Sequence, residues 1–233
     1  MHRLTLLGGG SGTAGGGGGG GGPIISYIGT MDVAIPAAIA TFTNQAIGTP
    51  ASDRLVVVLI GGWRAGLART LSSVTIGGNA ATIHLQQTNT GGSAGPTLAI
   101  ASLVVATGTT ATIVATYSSG EAQATSHVYT ITGLNSTTPV ATNSAAVASG
   151  DPSTTVNVTG TGVAVALWSG TTNTTGPATF TGLSTKDYDA VVGGTAVARV
   201  ASAHQGGLAT ETPRTISVTS ANTIETIVAA TWH

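Results

Sequence analysis

Residues 15–22 are eight consecutive glycines, and Gly8, Gly9, Gly10 and Gly12 precede them. No other stretch limits the fold so firmly. Each glycine costs about 1 kcal/mol in a helix, so the tract is non-helical. Fixing a backbone residue costs roughly 1–2 kcal/mol, and glycine loses more freedom than any other residue. Ordering the run therefore costs on the order of 10 kcal/mol, which a tract without side chains cannot recover by packing on its own domain. It is either a tether or an extended arm held by other chains. The chain thus divides into an apolar tip with a glycine-rich arm over residues 1–22, and a body over 23–233. At about 3.1 Å per extended residue, the arm from Gly8 to Gly22 reaches roughly 45 Å.

The body is built from Thr, Ser, Gly, Ala and Val, a mixture that suits strands and turns. Only 6% of residues are charged, and the formal net charge is −1. Nucleic acid is excluded as a partner, because phosphate binding needs clustered Lys and Arg, and the chain holds one lysine, Lys186. So little charge gives weak colloidal repulsion and favours burial of surface between subunits. Cysteine is absent, which removes disulfides and thiolate metal sites. No apolar run reaches the roughly 20 residues of a membrane helix, so membrane insertion is not expected. Met1–Leu7 is too short for a secretory core of about 7–15 residues; synthesis and use without general secretion are expected.

Short apolar runs separated by Gly, Asn and Pro turns read as about fourteen strands. Thr112–Tyr117 and His127–Ile131 alternate, whereas Leu55–Ile60 is continuously apolar, as in a strand covered on both faces. The expected fold is all-β, an antiparallel two-sheet sandwich of jelly-roll type carrying the extended N-terminal arm. Asn135–Pro152 is a candidate linker, but one domain over 23–233 is the preferred reading, because the second half is short of large apolar residues.

Asp53–Val58, Ser73–Thr82, Thr109–Val114, Ser126–Leu134 and Ala229–Trp232 together resemble small β-sandwich virion proteins of tailed phages, prophages and gene transfer agents. The resemblance covers most of residues 50–233. It implies a head spike, collar or neck component, or tail fibre exposed on the particle, in company with other virion proteins and with host surface polysaccharide as a ligand. The glycine arm lies outside that pattern and resembles the glycine-rich stems of some phage fibres.

Signals for chemistry are sparse. The five histidines have no metal-ligand spacing, and neither HxH nor HExxH occurs. His84 and His127 fall in strands and read as structural. Lys186-Asp187-Tyr188-Asp189 concentrates charge and reads as a solvated turn, with calcium or a sugar as the sharper alternative. Glu121, Asp151, Glu211 and Glu225 are scattered, without the paired carboxylates of a glycosidase. Candidate ligand-binding residues are Trp63, Trp168, Asn173 and Tyr188, since sugar sites use exposed aromatic rings beside amides; core packing is the competing role for each tryptophan.

The sequence reading is therefore a virion structural protein rather than an enzyme, with no cofactor and no metal. Leu4, Leu6 and Leu7, with Gly15, Gly16, Gly17, Gly18, Gly19, Gly20, Gly21 and Gly22, are the expected anchoring and assembly residues. Homo-oligomerisation as a trimer or pentamer is expected, on a particle made in the host cytoplasm. The alternative is a carbohydrate-binding module or a bacterial surface adhesin domain.

Overall fold

The computed structural model describes residues 21–34, 37–64, 69–89, 91, 95–121, 123–171, 176–193 and 198–233. The tip Leu4, Leu6, Leu7, the arm residues Gly15–Gly20 and the candidate Asn173 lie outside the described residues. Among those described, every regular element is a β-strand. The first half holds β1 (Ile24–Ala34), β2 (Ile39–Ala46), β3 (Leu55–Trp63), β4 (Leu71–Ile76), β5 (Asn79–Ala80), β6 (Thr82–Thr88), β7 (Pro96–Val104), β8 (Thr110–Tyr117) and β9 (Gln123–Thr132). The second holds β10 (Ala141–Val147), β11 (Ser153–Val158), β12 (Gly162–Thr171), β13 (Thr179–Thr181), β14 (Thr185–Val192), β15 (Ala198–Leu208), β16 (Glu211–Thr219) and β17 (Thr223–Trp232).

The chain is an all-β antiparallel sandwich, as expected, but its sheets number four rather than two. They run β1-β9-β3-β7-β6, β2-β8-β4-β5, β10-β17-β12-β15-β14 and β11-β16-β13. With the two-residue β5 set aside, the halves have the same wound order, strand for strand. In each, first, last, third, sixth and fifth strands form the large sheet, while second, seventh and fourth form the small one. This is a jelly-roll winding with its fifth strand moved to the edge of the large sheet.

Three apolar layers hold the stack together. Alternation along β3 sends Val56, Val58 and Ile60 into a core shared with Phe42, Val74, Ile76 and Ile113 of the small sheet. Leu55, Val57 and Leu59 point the other way, into a core shared with Val163, Val165 and Leu167 of β12. β12 repeats the device, sending Ala164, Ala166 and Trp168 outward against Val156, Ile216 and Val218. The two large sheets therefore pack face to face, each backed by a small sheet. The continuous apolar run at Leu55–Ile60 is explained by that double coverage, and all six side chains are buried.

Two stretches differ from the sequence reading. The candidate linker contains β10, which pairs with β17 from Ala141↔Thr231 to Val147↔Glu225. Lys186–Asp189 is not a turn but lies within β14, paired with β15. In both places the strand is an edge built of small or charged residues, so it lacks the Val/Ile signature on which strand recognition relies.

Candidate functional site

Between the two halves lies a polar and aromatic network that begins at a β-bulge. The β14–β15 register shifts between Lys186 and Tyr188, so Asp187 is the extra residue. Bulges re-aim side chains, and this one turns Asp187 toward the first half. Its carboxylate accepts hydrogen bonds from the Tyr129 hydroxyl of β9 at 2.9 Å and from His204 Nδ1 of β15 at 2.8 Å. Tyr188, next along β14, donates from its hydroxyl to Asp32 of β1 at 2.9 Å. A second chain of bonds runs through β1 and β9, with Tyr27 to Thr30 at 2.8 Å and Thr30 to His127 Nδ1 at 2.8 Å. Ring contacts tie the two chains together: His127 meets Tyr188 edge-on at 5.0 Å, Tyr27 meets Tyr129 at 5.3 Å, and Tyr129 meets His204 at 5.7 Å.

Burial sets the electrostatics. It pushes the Tyr129 hydroxyl well above its ordinary range, with the Asp187 charge adding to the effect. Burial, then the Asp32 charge, raises Tyr188 likewise. Both phenols are thus firm donors to their carboxylates. Partial desolvation of its carboxyl raises Asp32, and burial holds His127 down to about 3, so that imidazole is neutral at physiological pH.

Asp187, His204 and Ser202 include the residue types of a hydrolytic triad, and His204 turns Nδ1 to the carboxylate as such a histidine does. Ser202, however, is fully buried and makes no hydrogen bond to His204 among the described residues, so a substrate cannot reach it. What the arrangement does is fasten β1 and β9 of one half to β14 and β15 of the other. Tyr27, Tyr188 and His204 remain half-buried at its rim, and Asp32 is exposed.

Other sequence candidates disperse. Trp63 and Trp168 are 1% and 0% exposed, so neither presents a ring face to a sugar; packing is their role. Trp168 Nε1 donates to Glu225 at 2.8 Å, and Ser220 donates to the other oxygen of that carboxylate at 2.8 Å. Burial raises Glu225 and carries the Glu121 carboxyl up to about 7, against the pull of Arg69 and Arg64. No group of three or more His, Asp or Glu able to hold a metal ion occurs among the described residues.

Gly21 and Gly22, the described end of the arm, lead into buried Pro23. A Cβ at Gly22 would fall 2.5 Å from Thr161 Cγ2 and 2.9 Å from the Thr161 carbonyl oxygen, and one at Gly133 would lie 3.7 Å from Pro23 Cα. The connector between the halves meets the C-terminus here too: Asn135 N donates to the His233 carbonyl at 3.1 Å, and Trp232 Nε1 donates to the Thr137 carbonyl at 3.1 Å. The arm root, the connector and the last strand therefore converge at one end. Trp63 and Trp168 sit near the opposite ends of their strands.

The Asp187 network was visible in the sequence only as a concentration of charge at 186–189. Its partners Tyr129 and His204 lie 58 and 17 residues away, and no local pattern links them. No family model, curated protein or solved structure matches this chain.

Proposed function

We propose that this chain is a structural, non-enzymatic component of a phage-like particle, displaying its β-body outside and tethered by the glycine arm. The observation that carries the reading is the docked root of the arm. Gly22 and Pro23 are seated among Thr161 and Gly133 at the end where connector and C-terminus meet, so the tract leaves the body from a fixed point. A body with a defined base end suits anchoring in a larger assembly. Its 6% charged composition favours further burial against copies of itself or neighbouring particle proteins. The body would then face host surface glycans.

Deleting residues 1–21 tests this directly. The truncated body should melt within a few degrees of the full chain, because the glycine run 15–22 that joins the removed segment to the body has no side chains to pack on it, yet it should be lost from sedimented particles. Incorporation at full stoichiometry would refute the tether.

A further inference from the structure

A cavity of about 330 Å³ opens between the first half and the connector, at the lower end of the ~300–1,000 Å³ range of small-molecule sites. Leu55 and Val104, from the arm-side ends of β3 and β7, supply its apolar wall. Thr82 and His84 of β6 and Ser102 of β7 face Thr137 and Thr138 of the connector across it. Both walls are fixed. The Trp232 indole holds the connector through the Thr137 carbonyl, and its ring meets the His84 imidazole edge-on at 6.2 Å.

The lining contains no charged side chain. His84 Nε2 is hydrogen-bonded to Ser102 Oγ at 2.7 Å, which leaves Nδ1 without a protein partner among the described residues. Burial lowers the His84 pKa, so the ring is neutral at physiological pH. The Thr82, Thr137 and Thr138 hydroxyls also make no hydrogen bond to protein among the described residues. A half-enclosed hollow thus offers three free hydroxyls and one free imidazole nitrogen, with no charge to pair an ion.

We infer that this cavity binds an uncharged, hydroxyl-rich ligand of monosaccharide size. Hydroxyls and a neutral imidazole each donate or accept, which matches the dual character of sugar hydroxyls. A carboxylate or ammonium would enter unpaired and lose solvation. The inference deepens the glycan-facing part of the proposed function and rests on it only for the source of the sugar.

The test titrates the full chain with glucose, galactose, mannose, rhamnose and N-acetylglucosamine, with glucosamine and galacturonic acid as charged probes, while following the His84 ring by NMR. At least one neutral sugar should saturate the His84 shift at millimolar concentration, and its charged analogue should bind several-fold more weakly. T82V and T138V keep shape at exposed positions, so melting should hold while affinity falls roughly 2- to 10-fold for each hydroxyl that contacts the ligand. No saturation by any neutral sugar, preference for a charged probe, or binding untouched by both variants would overturn the assignment. Capture of dextran together with glucose assigns the ligand to a polymer end, and glucose alone to a free sugar; both support the site. Particle incorporation is read separately, so failure of either proposal leaves the other standing.

Discussion

The two halves share one winding and fill it differently. In the first, the layer between large and small sheets is branched and aromatic, with Phe42, Ile47, Val56, Val58, Ile60, Leu71, Val74, Ile76 and Ile113. In the second, the equivalent layer is richer in alanine, with Ala164, Ala166, Ala178, Ala201, Ala203 and Ala229 beside Val156, Val158, Ile216, Val218 and Ile227, and its one fully buried ring is Trp168. Register aligns them: Ala99 and Ala101 oppose Ile60 and Val58 on β3, as Ala201 and Ala203 oppose Trp168 and Ala166 on β12. Topology is thus compatible with either many medium side chains or one large one among small, provided that the volume is filled. The halves also close their ends by unlike means. Arg54, 0% exposed, donates to four carbonyls, those of Val105, Gly48, Thr107 and Gly108, at 2.7–2.9 Å. The second half has its buried polar pair, Trp168 and Glu225, toward the other end.

The largest break in this comparison should come at Trp168. A ring as large as Trp168 leaves a space that its Val, Ile and Ala neighbours fill only in part, so Trp168→Ala should cost about 3–5 kcal/mol and leave Glu225 short of a donor. Arg54→Ala should cost less, roughly 1–3 kcal/mol, because the carbonyls it serves belong to loops at the body's end that water can enter. Urea titrations of both variants rank them. Equal losses would mean that the alanine-rich layer relaxes as freely as the loops.

A smaller effect is carried by two groups of the first half, Glu121 and His127, and is read by pH. The Glu121 carboxyl is raised to about 7 from an ordinary 4.5. The unfolded chain therefore releases this proton first, and stability falls as pH rises from about 4.5 to about 7. His127 works in the opposite direction. Held down to about 3 from an ordinary 6.5, it lets the unfolded chain take up a proton that the folded chain refuses, so stability falls as pH drops below about 6.5. Glu121→Gln should raise the melting temperature above neutrality, match the parent near about pH 4, and leave the acid limb unchanged. Melting curves that differ by a constant offset across this range would show that Glu121 is not the titrating group.

Legibility in the sequence followed locality. The run Leu55–Ile60 announced a doubly covered strand because coverage is written into every residue of that strand. Gly77 and Gly78, two adjacent glycines between apolar runs, are a turn signal of the same local kind: both take positive φ and Ile76 faces Asn79 across the hairpin, as a two-residue connection requires. The repeat of the halves stayed hidden because Ala and Trp in one half replace Val and Ile in the other, which preserves volume while erasing residue identity. Lys186–Asp189 was misread for a related reason. A charge run in isolation is solvated, but Asp189 bonds Lys186, Arg199 and the Ala178 amide, and Asp187 bonds across to β9. Only the tertiary fold brings those partners together. The buried tryptophans carried no sequence signal separating a core ring from a platform.

The smallest effect bears on the boundary between arm and body, where neighbouring glycines should behave differently. A Cβ at Gly21 would meet nothing within 4 Å, whereas one at Gly22 would lie under 3.0 Å from both Thr161 Cγ2 and the Thr161 carbonyl oxygen. Thr161 is β-branched and therefore stiff, and it sits in the short turn between β11 and β12. Gly160, beside it, has φ +57 and leaves no room for a side chain against the His233 ring. The turn cannot yield without disturbing the C-terminus. Gly22→Ala should accordingly cost about 1–2 kcal/mol, lowering the melting temperature by about 2–4 °C per kcal/mol in a chain of this size. Gly21→Ala should stay within about 0.5 kcal/mol of the parent. Thr161→Ser removes the obstructing methyl and should restore part of the Gly22→Ala loss in the double variant. If Gly22→Ala and Gly21→Ala melt alike, the arm root is not seated on Thr161, and the tract begins its freedom at Pro23 rather than at Gly21.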